Sequence, residues 1–74
     1  MNTLNNLRIN QIGKVSNINC DSKHLKRRFS DLGIIKDTKI KPVFKSISGD
    51  PIAYEIRGSV IAIRNEDAKN IEIY

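Results

Sequence analysis

Apolar positions change their spacing along this chain, from a helical period in one early stretch to a two-residue period later. Leu25, Phe29 and Leu32 stand at i, i+4 and i+7 and form one stripe, while Lys26, Arg27 and Arg28 point away from it. That pattern predicts a short amphipathic helix ending near Leu32, with Gly33 supplying the left-handed residue that closes it. Ser22, or Asp21 just before it, is placed to cap its start by accepting a free backbone N–H. A helix this short does not hold itself together in water, so its stripe must pack on a sheet made by the rest of the chain.

The remaining pattern is β. Leu4, Leu7, Ile9 and Ile12 lead to Gly13 and a strand-like run from Lys14 to Cys20. Val15 and Ile18 are three apart rather than two, which points to a bulge or bend. Lys36-Asp37 makes a turn, and Lys39 to Lys45 reads as a strand with Ile40 and Phe44 on one face. Pro42 has no N–H to give, which places this strand at an edge there. Ser46 to Pro51 is a loop punctuated by Gly49 and Pro51. Ile52, Tyr54 and Ile56 alternate with Ala53, Glu55 and Arg57, as in a strand with one buried face. Gly58-Ser59 signals a tight turn, and Val60 to Ile63, apolar on both faces, is expected to be the most buried strand. Asn65 to Lys69 reads as one helical turn capped by Asn65, and Ile71 and Ile73 alternate in a last short strand. About five short strands, one short helix after the first strand and a helical turn before the last predict a mainly β fold. The expected architecture is a small SH3-like barrel, because closure removes edges that so short a chain cannot cover. Phe29, Leu32, Ile61 and Ile63 are its expected core.

Composition narrows the function. Seventy-four residues make one expected domain, residues 1–74. A chain of this size buries only about 60% of the surface its unfolded form exposes, so surface is plentiful and a deep active site has little room. The single cysteine excludes an intrachain disulfide and fits a reducing compartment. No apolar run approaches membrane-spanning length, and Met1 to Asn6 has no basic segment followed by an apolar one. The expected location is cytoplasmic. The net charge of +5 is uneven: ten Lys or Arg against three acids in residues 1–45 give +7, and three against five in residues 46–74 give −2. Such asymmetry predicts a basic face suited to an acidic partner, nucleic acid or anionic lipid, although solvated lysines alone would produce it too.

No catalytic constellation is visible. One His, one Cys and no phosphate-cradling glycine loop leave an enzyme unexpected, and no cofactor is implied. Cys20, Asp21 and His24 sit at a strand-to-helix corner and have side chains that ligate transition metals. A stable site wants about four ligands with support behind them, and this trio falls short. The plainer reading makes Asp21 a helix cap, His24 a surface residue and Cys20 a small buried hydrophobe. No metal site is therefore expected. Lys23, Lys26, Arg27 and Arg28 form the better candidate for partner binding, since arginine presents a planar fork suited to carboxylates and phosphates. Against that, Arg28 can lay its stem on the barrel and pair with Asp31 at i+3. The loop around Ser48, Gly49 and Asp50 is a second candidate, because a loop tip on a rigid barrel is a common recognition element.

Read in order, these residues resemble the FeoA family, small proteins of the bacterial ferrous iron uptake system. The resemblance is carried by Leu4, Leu7, Gly13, Val15 and Ile18, and by Arg27-Arg28-Phe29-Ser30-Asp31-Leu32-Gly33. It continues through Thr38 and Ile40, Gly49-Asp50-Pro51-Ile52, Arg57-Gly58 and Ile61-Ala62-Ile63-Arg64, and ends on Ala68, Ile71 and Ile73. It spans nearly the whole chain. Asn10 and Lys36-Asp37 depart from it, standing near a family glycine and in place of a Pro-Gly pair. Asn and Asp tolerate left-handed geometry best among non-glycine residues, so both turns can persist. The resemblance implies an SH3-like, cytoplasmic, non-enzymatic accessory that acts with FeoB, the membrane permease carrying a GTP-binding domain. It also implies kinship with the SH3-like domain of iron-dependent repressors. Two other classes remain open: a small basic nucleic-acid-binding barrel and a metal-sensing domain using Cys20 or His24. Phe29, Phe44, Tyr54 and Tyr74 are the only aromatics, so stacking platforms for bases are scarce and nucleic acid is not the expected partner. The Ile-rich edge near Pro42 leaves self-association as an option.

Overall fold

The computed structural model describes residues 2–74. Among the described residues there are six strands rather than about five: β1 (Asn2–Thr3), β2 (Gly13–Ile18), β3 (Lys39–Lys45), β4 (Ile52–Ile56), β5 (Ser59–Ile63) and β6 (Ile71–Ile73). Helix α1 (Lys23–Asp31) follows β2, and a four-residue helix α2 (Asn65–Ala68) precedes β6. A single 3-10 turn, Leu4–Asn6, links β1 to β2. The additional strand is β1, whose two residues pair with β6 and are too few to show a period.

All pairings are antiparallel, in the order β1-β6-β2-β3-β4-β5. The sheet curls around one core, with Leu4, Val15, Ile34, Ile40, Tyr54, Ile56 and Ile71 almost fully buried. Helix α1 closes one side: Phe29 is buried in that core, and Leu25 and Leu32 pack against it. The bulge expected in β2 lies between Val15 and Asn17, where the register with β6 shifts.

The ends of α1 follow from its sequence. Ser22 Oγ accepts a hydrogen bond from Leu25 N at 3.2 Å, so Ser22 rather than Asp21 is the cap. At the far end Gly33 has φ +86°, Gly33 N bonds Ser30 O at 3.0 Å and Ile34 N bonds Phe29 O at 2.8 Å. That doubly bonded closure buries Ile34 just past the helix. Thr38 Oγ1 then donates to Gly33 O at 3.1 Å and ties the helix end to β3. Asn10 and Asp37 take left-handed φ values of 70° and 72°, as their side-chain types permit.

Five local readings are corrected. Ile40 and Phe44 do not share a face: a register shift between Pro42 and Phe44 turns the strand over, leaving Ile40 and Pro42 buried and Phe44 66% exposed. Strand β3 is interior rather than an edge, but its ladder with β2 covers Lys39 and Ile40 alone, so the missing N–H of Pro42 falls beyond it. Strand β5 is the least buried of the long strands rather than the most. It ends the sheet, with Val60 62% exposed, Ile61, expected in the core, half-buried against it, and Ile63 alone buried. The turn before it is centred on Arg57-Gly58, both at positive φ, as a two-residue hairpin of twisted strands requires. Finally, α2 is capped by no side chain of its own. Its first N–H, on Asn65, donates instead to Asp50 Oδ1 across the fold at 2.9 Å.

Candidate functional site

The cations of α1 are all exposed, but they do not form one face. Lys26 flanks a shallow groove beside Ser16 and Ile18 of β2. Arg28 lies on the opposite flank and lines a cleft of about 230 Å³. Lys23 and Arg27 remain at the surface between these flanks. The pairing of Arg28 with Asp31 does not form, and the one ion pair among the described residues is Lys41 to Glu55 at 3.7 Å.

The cleft joins parts of the chain that the sequence keeps apart. Helix α1 contributes Arg28, Phe29 and Leu32; the loop before β4 contributes Pro51; β5 and the residue after it contribute Ala62, Ile63 and Arg64; α2 contributes Asp67. Its floor is apolar, and two guanidinium groups and one carboxylate surround it. Such a lining suits a side chain that is apolar at its base and anionic or polar at its end. Arg64, Pro51 and Asp67 are not among the sequence-predicted site residues. Nothing in local spacing relates Arg64 to Arg28; they meet because α1 closes the side of the sheet where β5 ends.

The loop candidates sit next to this cleft and are bonded internally. Ser48 Oγ donates to Asp50 O at 2.9 Å, Asn65 Nδ2 donates to Gly49 O at 3.2 Å, and Asp50 Oδ1 takes the Asn65 N–H. Gly49 has φ +86° and open space around it. Their polar groups therefore fasten the β3–β4 loop to α2 and hold Pro51 against the cleft. Asp50 also acts inward: burial, and secondly the Asp50 carboxylate, push the Tyr54 phenol up to about 12.

Cys20, Asp21 and His24 are not gathered around a point. Cys20 is half-buried rather than buried, its Sγ donating weakly to Ser22 O at 3.6 Å, while Asp21 and His24 are exposed. Among the described residues no three His, Cys, Asp or Glu groups come together as metal ligands. No helix among them is long and apolar enough to cross a membrane.

A curled antiparallel sheet closed by one short helix, with a cationic cleft beside its last strand, defines a small SH3-like domain. Residues 2–74 match the FeoA domain, and the chain belongs to the FeoA family. A Campylobacter jejuni relative, described as Fe(2+) transport protein A, is 34% identical over 71 residues, covering 96% of this chain and 95% of its own. The solution structure of a FeoA-like protein from Clostridium acetobutylicum is 36% identical and superposes with a TM-score of 0.87, over 97% of this chain and 83% of that one. Stenotrophomonas maltophilia FeoA, a prokaryotic SH3 domain protein solved in complex with zinc, shares the fold at 22% identity. Its TM-score is 0.88, over 100% of this chain and 91% of that one. The family is one of ferrous iron transport accessories.

Proposed function

We propose that this chain acts in the cytoplasm as a non-enzymatic accessory that docks on FeoB through α1 and the adjoining cleft. The reading rests on family membership together with one structural observation. Arg28 and Arg64 stand at the rim of an apolar cleft with no acid close enough to neutralise them as an ion pair. Unpaired guanidinium groups beside a desolvating floor are suited to an acidic protein surface, and such complementarity sets specificity and encounter rate. On this reading the chain reaches the membrane only through its partner.

A pull-down with FeoB of the same organism tests it. Wild-type protein should be retained, and Arg27→Glu/Arg28→Glu should weaken retention at least about tenfold, as expected when charges at a contact are reversed. Retention unchanged in the double variant would move the interface away from α1. Failure of the wild type to bind would remove docking on FeoB as the function.

A further inference from the structure

We propose that the free edge of β5 is a strand-addition site, and that its occupant is an extended acidic and aliphatic segment of a partner protein. The proposal deepens the docking reading above and rests on it for the partner's identity, but its geometry comes from β5 itself. Among the described residues β5 is the last strand of the sheet and pairs with β4 alone. The two-residue turn Arg57-Gly58 fixes which backbone groups are spent. Ser59 opposes Ile56, Ile61 opposes Tyr54 and Ile63 opposes Ile52. Residues flanking a two-residue hairpin are a hydrogen-bonded pair, and such pairs alternate, so Ser59, Ile61 and Ile63 bond to β4. The N–H and C=O groups of Val60 and Ala62 therefore point out from the edge.

Proteins usually blunt such an edge with proline, an inward charge, a bulge or a covering element. Among the described residues β5 has no proline, charge or bulge, and no backbone hydrogen bond from another element reaches Val60 or Ala62. The register of β5 with β4 runs unbroken from Ile52↔Ile63 to Ile56↔Ser59, and Val60 and Ala62 are exposed. Among the described residues the other end of the sheet, β1, spans two residues. One end is short and the other is left open.

The cleft indicates what the open edge accepts. Ala62, Ile63 and Arg64, the far half of the edge, line it together with Phe29 and Leu32 of α1. A strand laid beside β5 runs along this cleft, where an apolar side chain finds the floor and a carboxylate finds Arg28 and Arg64. Asp67 on the third side repels an anionic group, so the occupant's carboxylate belongs beside Arg28 and Arg64 and away from α2, where the two guanidinium groups outnumber the one carboxylate. A second copy of this chain is a poor occupant, because it would bring the cations of its own α1, Lys23 to Arg28, toward the same rim. Main-chain pairing with alternate side-chain pockets is the general logic of β-augmentation.

The test uses the full chain, ¹⁵N-labelled, with a blocked peptide alternating glutamate and valine, and the same peptide with lysine for glutamate. Amide shifts read binding even at millimolar affinity. The acidic peptide should shift the Val60 and Ala62 amides and slow their hydrogen exchange at least about tenfold, and the lysine peptide should not. Ala62→Pro removes an outward donor from an edge position that tolerates proline, and should abolish the response while leaving the β4–β5 ladder in the amide spectrum. Val60→Pro is the second variant if that ladder is lost. No change at Val60 and Ala62, an equal response to both peptides, or protection of these amides by dimerisation of the free protein would overturn the proposal. If wild type and Ala62→Pro are retained equally by FeoB, strand addition falls and docking stands; if neither is retained, docking falls and the peptide titration decides strand addition alone.

Discussion

Two residues show how much of a side chain's role is set by neighbours that the local sequence does not name. Gly13 reads as a strand opener, yet a Cβ there would stand 2.7 Å from Leu7 Cδ1 and 3.1 Å from Ile73 Cγ2, so the glycine makes room for two core neighbours. Tyr54 reads correctly as a core position, because its alternation with Ala53 and Glu55 is unbroken. Its titration could not be read, since the carboxylate that acts on it, on Asp50, is brought close only by the β3–β4 loop. The phenol, raised to about 12 from 10.0 by burial and then by Asp50, binds its proton more tightly folded than unfolded. That contribution is complete below about pH 10 and disappears as the pH climbs toward 12. Unfolding midpoints in urea should therefore fall across that window in the wild type and fall less in Tyr54→Phe, which keeps the buried ring. Tyr74, exposed, is also raised, chiefly by its hydrogen bond to Asp37.

At the scale of elements, legibility followed the number of local signals that agreed. Helix α1 had three: a stripe, a capping hydroxyl and a closing glycine, and all three hold. Strand β4 had clean alternation, and its burial follows it. Strand β5 misled because an apolar run reports propensity, whereas burial depends on neighbours, and β5 lacks one on its outer side. Phe44 misled because one register shift inverts every side chain beyond it, and nothing in Lys39 to Lys45 except Pro42 hints at a shift. The cap of α1 gives the sharpest test at this scale. Ser22→Ala deletes the acceptor of the Leu25 N–H and should cost about 1 kcal/mol in chemical denaturation, the usual value of a lost hydroxyl cap. Asp21→Ala, at the neighbouring position that the sequence offered equally, should leave stability within about 0.5 kcal/mol, as exposed substitutions do.

For the whole molecule, charge decides what a docking experiment can mean. The candidate site was half legible: the basic run of α1 was visible, but its union with Pro51, Ala62 and Arg64 needs the fold. What the sequence did carry in full is the charge total, thirteen Lys and Arg against eight Asp and Glu. The fold neutralises little of it in close pairs, since Lys41–Glu55 is the one ion pair among the described residues and is itself partly exposed. A small positive domain of this kind repels itself, and salt screens that repulsion over a Debye length of about 10 Å at 0.1 M. Its Tm should rise by a few degrees between about 10 and 150 mM NaCl, each 1 kcal/mol being worth roughly 4–8 °C at this size. Arg27→Glu/Arg28→Glu lowers the net charge from +5 by four units, to +1. Its thermal midpoint should therefore depend much less on salt. Carboxylates toward the C-terminal end of α1 oppose the helix dipole by about 0.3–1 kcal/mol each, but relief of the global repulsion acts in the other direction. At low salt these effects should leave the double variant folded at a midpoint near that of the wild type. Loss of FeoB binding by that variant would then report a lost contact rather than a lost fold. A salt profile as steep as the wild type's would instead show that the +5 acts through local pairs, and the balance of forces assigned to this surface would have to be redrawn.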